Sequence, residues 1–114
     1  MLACGGSASI RMNDTCLQVF SVPRGSTGLF LFGDTRQRAL PFGAGNLCVT
    51  GDVHRLPPVL ADSHCCAHYD VDLWYAPETR FIQAGETWHF QYLYWDHGAG
   101  QRNLSSGLAI TFAP

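Results

Sequence analysis

The sequence predicts an all-β fold, an antiparallel two-sheet β-sandwich of the jelly-roll or immunoglobulin-like kind with about eight strands. Two observations carry this prediction. Short apolar runs recur along the chain, separated by Gly, Pro, Asn and Asp, whereas no window holds a 3.6-residue period for the ten or more residues a helix needs. Within several runs, apolar and polar residues alternate, as successive side chains of a strand point to opposite faces.

The elements follow in order. Residues 1–7 read as an N-terminal arm and 8–114 as one sandwich domain, near the commonest size for a single core. "SASIRM" is a short candidate strand and "TCLQVFSVP" a stronger one. "GLFLF" (28–32) is continuously apolar between Gly25 and Gly33, which suits a strand buried on both faces. "RALPFG" contains Pro41 and belongs at an edge or bend. "NLCVTG" leads through "VHRLPPV" into "HCCAHYDVDLW", expected as a hairpin around Pro57 and Pro58. In that last run, Cys65, Ala67, Tyr69, Val71 and Leu73 alternate with His64, Cys66, His68, Asp70 and Asp72. The most aromatic strand begins at Thr87, followed by a "DHGAGQRN" loop and a closing "SGLAITF" strand.

Trp88, Phe90, Tyr92 and Tyr94 share one face of the aromatic strand. Side chains that each bury roughly 150–250 Å² are expected to form the sandwich core. The opposite face, with His89 and Gln91, is expected to be wet, although it turns apolar at Leu93 and Trp95. Trp95 is therefore the aromatic of this strand to look for at the surface. In the last strand Leu108, Ile110 and Phe112 share a face.

Composition excludes several functions. Charged residues make up 14% of the chain, below the usual share of about 25%. The seven cations are all Arg, scattered singly, and the formal net charge is -2. No basic stripe offers itself to nucleic acid. No apolar run approaches the ~20 residues of a membrane span. No charged and then apolar leader opens the chain, so Met1 is expected to begin a mature or trimmed segment. The likeness of "MLAC" to a lipoprotein cleavage site lacks the apolar stretch it would need.

Five cysteines without a C-x-x-C pair point to disulfide use in an oxidising, extracellular compartment. Cys4, Cys16, Cys48, Cys65 and Cys66 are the candidates. Cys48 with Cys66 is the favoured pair, because the expected hairpin would place them side by side with the same parity; the odd count leaves one thiol over.

Other constellations have plainer explanations beside them. His64, Cys66, His68 and Asp70 lie on one strand face as H-x-C-x-H-x-D, a set of metal-ligand types. A fourth ligand on a second strand is missing, and a solvated strand face accounts for the pattern, so no metal or other cofactor is expected. Asn13 and Asn103 begin N-x-[ST] sequons beside expected turns. Catalysis is weakly supported. There is no G-x-S-x-G elbow, nothing brings Glu78 to Glu86 as a glycosidase pair would require, and Cys65 points away from its strand neighbours His64 and His68.

The order of motifs resembles a secreted domain common in planctomycetes and some myxobacteria. The likeness runs through "GSASIRMNDTCLQVFSVPRGSTGLFLFG", "LPFGAGNLCVTGDVHRL", "IQAGETWHFQYLYWD" and "NLSSGLAITFAP". Those domains carry G-L-F-x-x-G, P-x-G-x-G-x-x-C-V, P-G-S-T-W-x-F-Q and N-L-S-x-G-L-x-x-T-F segments in this order. Gly28 to Gly33, Pro41 to Val49, Ala84 to Asp96 and Asn103 to Phe112 take those places here. The resemblance implies an extracellular β-sandwich module of bacterial origin and no particular activity. Trp95-Asp96 replaces the family's R-D, Ala113 replaces a frequent terminal Cys, and Cys16, Cys65 and Cys66 are extras.

These readings converge on a non-enzymatic extracellular or cell-surface structural module. It is expected to associate with copies of itself in an oligomer or fibre, by addition of the "ACGGSASIRM" arm or the terminal strand to a neighbour's sheet. The alternative is a carbohydrate-binding module using Trp74, Tyr75 and Trp95 as stacking surfaces.

Overall fold

The structure, a computed structural model, describes residues 2–42, 45–50, 53–63, 65–74, 77–79, 82–96, 100–105 and 107–114; the side chains of residues 3, 4, 36–40, 42, 45, 46, 50, 78, 96 and 101 lie outside that description. The fold is all-β, with eleven strands among the described residues and one short 3-10 turn at Pro77–Thr79. The strands are β1 (Leu2–Gly5), β2 (Cys16–Phe20), β3 (Thr27–Gly33), β4 (Thr35–Phe42), β5 (Gly45–Thr50), β6 (His54–Arg55), β7 (Val59–Leu60), β8 (Cys66–Asp70), β9 (Thr87–Asp96), β10 (Gln101–Leu104) and β11 (Leu108–Thr111).

Their pairings are antiparallel and form a sandwich with an added flap. One sheet has the order β1-β2-β8. The larger is built on β9 and β3, which pair over Gly28–Gly33 and His89–Tyr94. β11 and β10 share the far side of β9, and β7 and β6 share the far side of β3. The third sheet is the β4–β5 hairpin, which holds Pro41 in an edge strand as expected and is bulged between Arg36 and Leu40.

Between the two main sheets lies the core. Leu2, Leu17, Val19 and Ala67 from the smaller sheet meet Phe30, Phe32, Trp88, Phe90, Tyr92 and Ile110 from the larger, all buried in one cluster. Phe32 stacks on Phe90 at 5.5 Å and meets Trp88 edge-on at 5.6 Å. Tyr92 lies 4.8 Å from Phe30. Burial of such side chains contributes about 1.5–3 kcal/mol each. Tyr94 is only partly buried. The aromatic crowding of β9 is thus a packing feature along most of its length, and GLFLF is buried on both faces over most of its length.

Several local expectations need correction. Residues 2–5, expected in an arm, pair with β2 from Leu2↔Val19 to Gly5↔Cys16, and Leu2 is buried. "SASIRM" is a turn: Asn13 N–H returns to Ser9 O at 3.1 Å and Asn13 takes φ 52°, a left-handed conformation that Asn tolerates. Ser9 makes a bridge to Ala113, and Ile10 N–H donates to Ala113 O at 2.8 Å, strapping the first turn to the last residues. The "DHGAGQRN" loop contributes β10, which folds back on β9 from Gln101↔Asp96 to Leu104↔Leu93. Finally, β5 and β8 do not form a hairpin. β6 and β7, on either side of Pro57-Pro58, both pair with β3 instead.

Candidate functional site

Strand alternation places Leu29 and Leu31 of β3 and Gln91, Leu93 and Trp95 of β9 on the face of the larger sheet that points away from the core. Cross-strand partners share a face. Register therefore adds Arg102 opposite Trp95, Leu104 opposite Leu93, and Arg55 opposite Leu31. The expected wet face of β9 turns apolar at Leu93 and Trp95 and continues onto Leu29, Leu31 and Leu104 of its neighbours.

One half of this face is covered. Gln91 is fully buried, its Oε1 accepting the backbone N–H groups of Cys48 at 2.8 Å and Val49 at 3.2 Å. Its Nε2 donates to Ser105 O at 2.9 Å. The carboxamide thus pins the β4–β5 flap on one side and the segment after β10 on the other. Val49, Leu31 and Leu104 are buried there. His89 is half-buried. The expectation that Gln91 faces water fails because the β4–β5 flap sits on it.

The other half is open. A cleft of about 290 Å³ has Leu29 and Leu93 in its lining, with Trp95, Arg55 and Arg102 also on it. Trp95 is 44% exposed; Leu29 and Leu93 are half-buried, and both arginines are exposed. A second cleft of about 230 Å³ runs under the flap against Leu47 and Val53 and shares Arg55, Leu93 and Arg102 with the first. Arg55 and Arg102 therefore stand where the clefts meet. Among the described residues neither has a carboxylate partner. The arrangement combines an aromatic plane, an aliphatic surface and two fork-shaped hydrogen-bond donors.

Trp74 and Trp95 do not form one platform. Trp74 is 55% exposed, but its indole N–H donates to Ile10 O at 2.7 Å. Through Ile10 and Ala113 it belongs near the Thr87 end of β9, and Trp95 lies eight residues along that strand, roughly 25 Å away at ~3.3 Å per residue. Tyr75 lies outside the described residues.

Among the cysteines, Cys16, Cys48, Cys65 and Cys66 are thiols, none joined to another; the Cys4 side chain lies outside the described residues. The Cys48–Cys66 pairing fails because β5 belongs to the flap and β8 to the smaller sheet. Cys65 precedes the strand in a left-handed conformation (φ 61°), within a turn where Asp62 caps Cys66 N–H at 3.1 Å.

The H-x-C-x-H-x-D pattern is interrupted in the same way. His64 lies outside the described residues. Cys66, His68 and Asp70 share a face of β8, opposite buried Ala67, and among the described residues no three ligand-type side chains gather as a metal site.

Both sequons are structurally engaged. Asn13 Oδ1 accepts Leu73 N–H at 2.7 Å while its Nδ2 donates to Asp72 Oδ1 at 3.3 Å. Asn103 is a half-buried residue within β10 rather than at a turn. Its hydroxyl residue, Ser105, accepts Tyr92 N–H at 2.9 Å. Glu86 accepts Gln83 N–H at 2.7 Å in a turn, and the Glu78 side chain lies outside the described residues.

Sequence reasoning singled out Trp95 but not Arg55 and Arg102. The available signal was the switch to apolar residues at Leu93 and Trp95 on an otherwise polar parity. Which isolated arginines border that patch depends on the pairing of β6 and β10, two short strands without a clear pattern. The chain matches no family model, no curated protein and no solved structure.

Proposed function

We propose that this chain is a non-enzymatic extracellular binding module that takes a glycan on the open half of the outer sheet face. The observation that carries the reading is Trp95, exposed on a rigid central strand beside a cleft with Leu29 and Leu93 in its lining. A sugar ring presents an apolar C–H face that stacks on an indole, and clefts with an apolar lining and a few polar groups at the rim are the usual form of ligand sites. A platform on paired strands also costs little to order on binding.

Titration of the full chain with soluble polysaccharides, followed by tryptophan fluorescence, tests this. Saturable binding is expected, weakened at least tenfold by Trp95→Ala and retained by Trp74→Ala. Silence across neutral and acidic polysaccharides, or full binding by Trp95→Ala, overturns it.

Self-association is the second reading, favoured by the outer edges of β1 and β8, the two margins of the smaller sheet, and by Phe20 at 39% exposure beside them. Strand addition would use such an edge. A loose donor is not at hand, because β1 and β11 are each paired within their own chain. Sizing chromatography over a range of concentrations separates the readings: a monomer that binds polysaccharide supports the first, and an oligomer that binds none supports the second.

A further inference from the structure

From the two arginines that line both clefts, we infer that the site selects carboxylated sugars, binding uronate-bearing glycans in preference to neutral ones; this inference rests on the glycan-binding reading. Arg102 is the cross-strand partner of Trp95, so a ring stacked on the indole carries its substituents toward that guanidinium. Arg55 is the cross-strand partner of Leu31 on the opposite side of β3 from β9. Both residues belong to both clefts. A chain laid along the groove from Trp95 toward the flap therefore passes between two cations.

Charge and shape agree on the ligand. No carboxylate is paired with either arginine among the described residues. The planar fork of a guanidinium matches the two oxygens of a carboxylate and binds them through parallel N–H donors. Between these anchors, Leu29 and Leu93 offer an aliphatic surface that suits the ring C–H faces, not a run of phosphates. A neutral glycan would satisfy the indole and offer neither guanidinium an ionic partner.

The test compares three oligosaccharides against the full chain by calorimetry: a uronate oligomer, the same oligomer with its carboxyl groups reduced to hydroxymethyl, and an unrelated neutral oligomer. The uronate is expected to bind at least tenfold more tightly than its reduced form. Its affinity should fall at least fivefold between 0.05 and 0.5 M salt, because exposed ion pairs are screened. Arg55→Gln and Arg102→Gln should each remove most of the preference without changing the thermal midpoint. Equal binding of the two forms overturns the preference and leaves the glycan reading standing. Binding of none of the three overturns both. A preference that survives both substitutions assigns it elsewhere and overturns this site.

Discussion

The phenol of Tyr92 fills the space that a side chain at residue 28 would need. A Cβ on Gly28 would lie 2.5 Å from both Cζ and the hydroxyl oxygen of Tyr92, and 2.6 Å from the backbone oxygen of Leu93. Gly28 pairs directly with Tyr94, and Tyr92 stacks on Tyr94 at 5.8 Å, so the ring has little room to withdraw. Gly28→Ala should therefore destabilise the domain by about 2 kcal/mol or more, the cost of forcing volume into a packed core. Urea denaturation measures it directly. Because one of the clashing atoms is backbone, Tyr92→Phe should not rescue it.

Tyr92 also carries an unsatisfied hydroxyl. Its oxygen is buried with no hydrogen-bond partner among the described residues, and burial pushes the phenol up from 10.0 to about 12. The folded state holds this proton more tightly than the unfolded chain. Its contribution to stability is therefore present below pH 10 and is lost as pH rises from about 10 toward 12. Tyr92→Phe should stabilise the protein at pH 7 by about 1 kcal/mol, since it removes a buried unpaired polar group and keeps the ring. It should also flatten the loss of stability between pH 10 and 12. Denaturation at pH 7 and across that range checks both, and a destabilised Phe variant would show that the hydroxyl has a partner.

How much of this was legible in the sequence depends on the range of the interaction. Alternation is local, so Trp88, Phe90, Tyr92, Ile110 and Phe112 were assigned to the core from their own neighbours and lie there. Pairing between distant strands leaves no such trace. The hairpin expected between Cys48 and Cys66 rested on proximity in sequence, whereas β3 claims the intervening β6 and β7. Left-handed positions at Asn13 and Cys65 broke two strands that composition alone allowed. The candidate site suffered most: Trp95 was visible as an apolar residue on a polar face, but Arg55 and Arg102 reach it only through register.

Gln91 shows the same limit and yields the sharpest prediction. A polar residue on the apparent wet face of a strand looked solvated, yet its carboxamide accepts two backbone N–H groups of β5 and donates to Ser105 O. Among the described residues no backbone ladder joins β5 to the larger sheet, so this side chain supplies polar attachment for the flap, with Val49 supplying apolar contact. Gln91→Leu keeps the volume but strands two donors and one acceptor. Each buried orphan costs about 1–3 kcal/mol, and partial hydration of a loosened flap reduces the sum to an expected loss of about 3 kcal/mol. Amide hydrogen exchange locates the damage: Cys48 and Val49 should exchange at least a hundredfold faster, while Phe30 and Phe32, whose strand stays paired to β9, should change only as far as global stability falls. Gln91→Glu should behave worse than its shape suggests. A carboxylate serves the two N–H groups but meets Ser105 O with a lone pair, and protonation would recover that third bond. Its stability should therefore rise as pH falls through the carboxyl range, opposite to the trend of an ion-paired carboxylate. Unchanged protection at Cys48 and Val49 in the Leu variant would mean that the flap is held by its apolar contacts alone.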